Sequence, residues 1–305
     1  MGSRLKFRQL RLLVALDDSR SLRKAADLMA LTQPGTSKAL KEIESTFGAE
    51  LFTRTAQGLM PNELGRCVIR HARLMKTNLD HLHEEMSGVV RGQGGRISVG
   101  TIAGALPILL NTAVARIKRE TPNVSIEVFE GTSAQLLLML AEGKLDMALC
   151  RTSVAPLPDL YEFEWLAQEK VNVAFGPRHP LANEPSLKLE QLLGYPWVLF
   201  PSHMPLRTLL ERELANLGLE PPAHSVETSS TFASVLLLQN ELNFIAMFSE
   251  DTVSFFDTHG LIKKAPVEIQ SRVESYGVAT RRGSMLSAAA DVLLRYVIEC
   301  HAPQV

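Results

Sequence analysis

Residues 91–95, "RGQGG", divide this chain into two parts that do not share one architecture. Ahead of them apolar residues recur at helical spacing. Behind them short β-branched and aromatic runs alternate with helical stretches. Three glycines within five residues end any helix that reaches them, so the domain boundary falls there. At 305 residues and 46% hydrophobic content, the chain has room for two or three domains with cores of their own. It lacks the run of about 18 apolar residues that a membrane span needs, and its charged start does not read as a signal peptide.

Charge follows the same division. Residues 1–95 hold 15 Lys/Arg against 10 Asp/Glu, whereas residues 96–305 hold 17 against 23, so a net charge of −1 conceals +5 at the front and −6 behind. A polyanion would therefore be handled by the front. Cys67, Cys150 and Cys300 are odd in number and far apart, which fits reduced thiols in a cytoplasm. No CxxC or Cys/His ligand spacing points to a metal, and nothing points to a cofactor.

Residues 5–16, "LKFRQLRLLVAL", place Phe7, Leu10, Leu13 and Val14 on one helical face, which Asp17 and Asp18 interrupt. Ser21 caps a second helix whose inner face is Leu22, Ala25, Ala26 and Met29. Thr32 caps a third. Pro34 is tolerated there because the N–H it lacks has no intrahelical partner in a first turn. This helix runs to about Phe47, with Ala39, Leu40 and Ile43 inward and Gly48 ending it.

Two short helices joined by a tight turn, the second opening on small polar residues, describe a helix-turn-helix. A slim first turn lets the backbone approach base edges in the major groove. Gln33 can pair with adenine, Lys38 can reach guanine or phosphate, and Thr36 and Ser37 can serve base or backbone. The competing reading is an ordinary helical bundle with capped ends.

At this point a longer likeness emerges. The run "SLRKAADLMALTQPGTSKALKEIESTFGAELFTRTAQGLMPNELG", residues 21–65, resembles the DNA-binding segment of LysR-type transcriptional regulators. The likeness rests on Ala25-Ala26, "LTQP", Ser37, "LKEIE", Gly48, "LFTR" and "PNELG", while Gly35 and Thr36 depart from the family pattern. The resemblance implies that the last part of the run is a wing, a short β-hairpin beside the recognition helix. It also makes Gln33, Pro34, Ser37 and Lys38 the groove-facing set, with Thr32 and Arg54 on phosphates.

From Asn62 to about Val90 only Gly65 and Gly88 interrupt a helix. Val68, Ala72, Met75, Leu79, Leu82, Met86 and Val89 recur at alternating spacings of four and three, the period of a coiled-coil seam. The alternative is a helix packed on its own chain, which would carry a wider stripe. A dimer also suits recognition of two half-sites. His71, His81 and His83 on this helix read as solvated or interfacial.

Behind the glycines, "RISVGT", "VSIEVFE", "DMALC", "VNVAFG", "WVLF", "HSVET", "FIAMF" and "YGVAT" read as strands. Helical stretches such as "LLNTAVARIKRE", "AQLLLMLAEG" and "LRTLLERELANLG" lie between them. The plan is α/β with mostly parallel sheets. The LysR resemblance implies a two-lobed effector domain like a periplasmic binding protein, with residues 274–299 returning to the first lobe.

The whole then reads as an α+β multidomain chain. Residues 1–61 form a winged helix-turn-helix, 62–90 a coiled-coil linker helix and 91–305 an effector-binding domain. Lobe I would take about 96–167 and 268–305, and lobe II about 168–267.

Ligands in such sheets sit beyond the carboxyl ends of strands, where helices begin. Thr101, Thr132 with Ser133, Ser202, and Thr228 to Ser230 stand at such turns. Each can equally be a plain N-cap. Thr101, Thr132 and Ser202 lie at the turns where the family binds effectors. Arg151 can pair a carboxylate bidentately or be a surface arginine. Hydroxyls, helix starts and an arginine point to a small organic anion. Cys150 beside them reads as a small buried hydrophobe.

The function these features imply is a DNA-binding transcription regulator that senses this effector between its lobes. It would form dimers through the linker helix and, by the resemblance, tetramers, with RNA polymerase a further candidate partner. An enzyme is the alternative, but no nucleophile elbow, P-loop, HExxH or GxGxxG at a strand–helix turn is present. A solute-binding protein would leave the first 90 residues without a use.

Overall fold

The computed structural model of the protein describes residues 5–91, 95–151, 153–155, 157–271 and 274–301. Residues 92–94 of the glycine-rich boundary lie outside the described residues.

Three helices open the chain: α1 (Phe7–Ser19), α2 (Leu22–Leu28) and α3 (Gln33–Phe47). Leu13, Leu16, Ala25 and Ile43 are fully buried where they meet, each large side chain contributing about 1.5–3 kcal/mol. Asp17 and Asp18 do not interrupt α1. Arg73 reaches both carboxylates, at 2.7 and 2.5 Å, and the helix continues until Arg20 adopts φ 50°. Phe7, expected inward, sits on the first turn and is 39% exposed, while Leu12 and Leu16 take its place in the core.

The caps are as the residue types require. Ser21 accepts from the Lys24 N–H at 3.4 Å, Thr32 from the Gly35 N–H at 3.2 Å, and Gly48 ends α3 at φ 68°.

Strands β1 (Phe52–Thr55) and β2 (Gly58–Pro61) pair antiparallel as the wing, with Arg54 opposite Leu59. The hairpin closes before "NELG", because Asn62 accepts from the Gly65 N–H at 2.8 Å and so caps the next helix, α4 (Glu63–Arg91). Gly58 permits the wing to dock. At φ 107° a Cβ there would lie 2.5 Å from the Arg20 carbonyl, which accepts from the Leu59 N–H at 2.9 Å.

The apolar stripe of α4 splits in two. Ala72 is buried with Leu10 and Val14, and Val68 packs on the three-helix core. Met75, Leu79, Leu82 and Met86 are 45–62% exposed. The side chains of Val89, His81 and His83 lie outside the described residues. Directly after Ala72 on the same helix, Arg73 Nε stands 3.8 Å from Glu142 of the following domain.

Two five-stranded sheets follow. The first has the order β4–β3–β5–β12–β6, from β3 (Arg96–Thr101), β4 (Ser125–Glu130), β5 (Met147–Cys150), β6 (Tyr161–Ala167) and β12 (Tyr276–Arg281). Helices α5 (Asn111–Glu120), α6 (Ser133–Ala141) and α11 (Ala288–His301) cover it.

The second sheet has the order β11–β7–β10–β8–β9, from β7 (Val171–Phe175), β8 (Trp197–Leu199), β9 (Ser225–Glu227), β10 (Ile245–Ser249) and β11 (Lys263–Lys264). Its helices are α7 (Leu189–Leu192), α8 (Pro205–Asn216), α9 (Thr231–Leu238) and α10 (Glu250–Thr258). Separate apolar cores lie in the two lobes, around Val99, Leu137 and Leu149 in one and Phe175, Trp197 and Ile245 in the other.

The sheets are mixed, not mostly parallel. Strand β3 runs parallel to β4 and β5, and β8 parallel to β9 and β10, but β12 and β7 are antiparallel to both their neighbours. Parallel pairing requires a crossover segment. Strands β7 and β12 arrive instead from the other lobe and enter against the local direction. Strand β6 escapes the sequence reading although Tyr161, Phe163 and Trp165 alternate with Glu162 and Glu164.

Candidate DNA-binding face and interlobe cavity

Helical periodicity sorts the first turns of α3. Thr36, Leu40 and Ile43 share the inner face and are buried, whereas Thr32, Gln33, Pro34 and Lys38 are exposed and Ser37 half-buried. Thr36 therefore does not reach a base or a phosphate as the sequence reading allowed. It lies four and seven residues before Leu40 and Ile43, and that spacing outweighs its polar type. Lys41 continues the exposed face one turn on, at a spacing the sequence already displays. Arg54 is exposed on the wing strand β1.

The second site lies between the lobes. A cavity of about 510 Å³ is bounded on the lobe I side by Ile102 to Gly104, Glu130 to Gln135 and Arg151, and at the crossing between the lobes by Glu169. On the lobe II side it meets Phe200, His203 to Leu206, Ser229 to Thr231, and Phe248 with Ser249 and Thr252. Four helices begin at this wall. Thr132, Ser230 and Ser249 accept from the N–H groups of Gln135, Ala233 and Thr252 at 3.4, 3.2 and 3.3 Å, capping α6, α9 and α10, and α8 opens at Pro205. The hydroxyls are thus N-caps, and for that reason positive helix ends surround the cavity.

Of the four effector residues chosen from sequence, Thr132 and Arg151 line the cavity; Thr101 and Ser202 are not among its lining residues. Thr101 shares its side of β3 with Ile97 and Val99, is fully buried, and donates to the Ile102 carbonyl at 3.0 Å. Ser202 is exposed in a turn closed by the Met204 N–H on the Pro201 carbonyl, at 2.8 Å, and it is Phe200 before it and His203 to Leu206 after it that face the cavity.

Arg151 is not a surface arginine. It is 8% exposed, pairs with the equally buried Glu169, and leaves its Nε without a hydrogen-bond partner. Its backbone N–H donates to Ser133 Oγ at 3.0 Å. Burial lowers the pKa of the guanidinium, and the charge of Glu274 opposes that shift. Gly104 makes the pair fit, since a Cβ there would stand 2.1 Å from Glu169 Oε1.

Sequence reasoning passed over Glu169 and Gly104, which meet only in the fold. It also passed over Ser249, although "SEDT" after strand "FIAMF" carries the signature of a cap followed by first-turn acids. Burial pushes the Cys150 thiol up to about 12, so it behaves as a small apolar group. Among the described residues no cluster of His, Cys, Asp or Glu is arranged to hold a metal, and no helix is long and apolar enough to cross a membrane.

A winged helix-turn-helix on a long helix, followed by two α/β lobes around a polar-edged cavity, defines a ligand-responsive DNA-binding regulator. Comparison with known proteins agrees. Residues 7–66 match the family described as "Bacterial regulatory helix-turn-helix protein, lysR family", and residues 91–300 the "LysR substrate binding domain". The HTH-type transcriptional regulator GbpR of Azospirillum brasilense is 28% identical, over 99% of this chain and 92% of its own.

Among solved structures, full-length CbnR complexed with its target DNA superposes with a TM-score of 0.64 at 16% identity, covering 97% of this chain and 100% of that one. The effector-binding domain of QuiR in complex with shikimate gives 0.54 at 20% identity, over 68% and 97%. The chain belongs to the LysR family, as a DNA-binding transcription regulator with an effector-binding domain.

Proposed function

We propose that the first turn of α3 reads an operator in the major groove while the lobes close on a small organic anion. Gln33, Pro34, Ser37 and Lys38 face the bases, and Thr32 and Arg54 hold phosphates. The observation that carries this reading is the division of α3, with one face sealed into the core and its capped first turn open to solvent. Residues 1–61, 62–90 and 91–305 act as DNA-binding domain, linker helix and effector domain. The exposed stripe Met75, Leu79, Leu82 and Met86 seats a second copy of α4. Tetramers form when lobes pair as well, and the protein works in the cytoplasm, where its DNA is.

The effector occupies the interlobe cavity, with Thr132 and Arg151 on its wall. The volume lies in the range of roughly 300–1,000 Å³ usual for small-molecule sites. Four helix starts favour negative charge there. The solved relative QuiR holds shikimate, a carboxylate, which supports the anionic reading.

Binding of the full chain to duplex DNA of varied sequence tests the first part. Gln33→Ala should cost about 1–3 kcal/mol on the preferred sequence and little elsewhere. Arg54→Ala should weaken every sequence alike and flatten the salt dependence. Equal losses from both on all sequences would refute the assignment. For the effector, an acid at 100 times its dissociation constant should add about 2.7 kcal/mol to stability.

A further inference from the structure

We infer that the effector is a hydroxylated acid bearing a single carboxylate, an acid of the sugar-acid type, and that the cavity rejects dicarboxylates. The inference rests on the cavity reading above and narrows it. Two observations carry it.

The first is the charge on the wall. Arg151 is the only Lys or Arg among the described lining residues, whereas Glu130 and Glu169 are both there. Glu169 already occupies one edge of the guanidinium. Among its other donors, Nε is buried within a residue 8% exposed and has no hydrogen-bond partner. One cation already shared with Glu169 can pair one further carboxylate. A second carboxylate would face the buried Glu169 and, at the exposed rim, Glu130, and like charges repel most where they are withdrawn from water, as at Glu169.

The second is the rest of the surface. Thr132, Gln135, Ser229 and Thr231 present hydroxyl, amide and first-turn backbone groups, while Phe200 and Phe248 offer apolar faces. Hydroxyls on a carbon frame satisfy both kinds of neighbour, since each can donate to Glu130 and accept from the helix starts. A purely apolar acid would leave those polar groups unpaired.

Thermal unfolding of the full chain tests this, with D-gluconate and quinate as single-charge hydroxylated acids, succinate and adipate as dicarboxylates, and D-galactose as a neutral polyol. Stabilisation by gluconate or quinate, and not by the others, is expected. Because Arg151→Gln alone leaves Glu169 buried and unpaired, the paired variant Arg151→Gln with Glu169→Gln is the better control. It should fold and bind the acid about 10- to 100-fold more weakly, the cost of one charge-assisted hydrogen bond. Glu169→Gln alone should tighten acid binding and admit succinate.

Greater stabilisation by a dicarboxylate or by galactose would overturn the inference. If that stabilisation is lost in Ala134→Trp, which fills the cavity, the cavity reading survives. If no compound stabilises the protein, or if stabilisation persists in Ala134→Trp, the cavity reading fails and the inference with it.

Discussion

Thr36 is fully buried on the inner face of α3 and its Oγ1 has no hydrogen-bond partner. Valine has nearly the same shape, with a methyl in place of the hydroxyl, so Thr36→Val removes an unpaired polar atom without opening a cavity. An unpaired buried hydroxyl costs about 1–3 kcal/mol by mutational measure, and Thr and Val differ little in helix propensity. The substitution should stabilise the helix-turn-helix by about 1–2 kcal/mol. Unfolding of a multidomain chain is not two-state, so local hydrogen exchange is the suitable assay. Amides of α3, between Ala39 and Glu44, should exchange about 5- to 30-fold more slowly, the equivalent of that free energy. DNA affinity should stay unchanged, because the hydroxyl faces the core. Faster exchange, or a loss of DNA affinity like that of Gln33→Ala, would refute the placement of Thr36.

Other predictions concern groups that touch neither the DNA nor the effector. Arg73→Gln should cost about 1.5–3 kcal/mol, read as faster exchange in the last turns of α1, because Asp17 and Asp18 lose their charge-assisted partner. Alkylation near pH 8 should modify exposed Cys67 and Cys300 and spare Cys150, whose thiol titrates near 12 through burial; rapid labelling of Cys150 in the folded protein would contradict its packing. Burial alone would raise the Glu213 carboxyl, but hydrogen bonds from Ser271 and Gln270 outweigh it and hold the pKa below its ordinary value. The stability it contributes is complete above the unfolded pKa of about 4.3 and is lost as pH falls through the lower folded value. The protection of α8 amides, corrected for intrinsic exchange, should therefore fall less from pH 6 to 3 in Glu213→Gln than in the wild type.

Local rules made the helix ends legible. Ser21, Thr32 and Gly48 each do what their residue type and place require, and the pattern break at 91–95 separates the helical front from the sheets. Residue type misled where periodicity ruled. Thr36 and Thr101 are polar, yet Thr36 falls in phase with Leu40 and Ile43, and Thr101 with Ile97 and Val99. The α4 stripe has one uniform spacing in sequence, but only the fold shows that Ala72 is used within the chain while Met75 to Met86 are not. The Arg151–Glu169 pair was beyond any local reading. It depends on Gly104, which lies 65 residues before Glu169 and matters only through the side chain it lacks.

The place of β12 bears on how the chain is made. This strand lies between β5 and β6, and among the described residues β6 has no other neighbour. Residues 276–281 leave the ribosome only after all of lobe II, which is one continuous stretch of chain. Lobe II can therefore complete its sheet while lobe I still has an open slot, with β5 exposing an edge and β6 unpaired. An exposed edge of this kind invites pairing with another chain. Nascent protein truncated before Tyr276 should consequently aggregate through lobe I, and β12 serves as the closing piece of a sheet begun some 180 residues before, at Arg96.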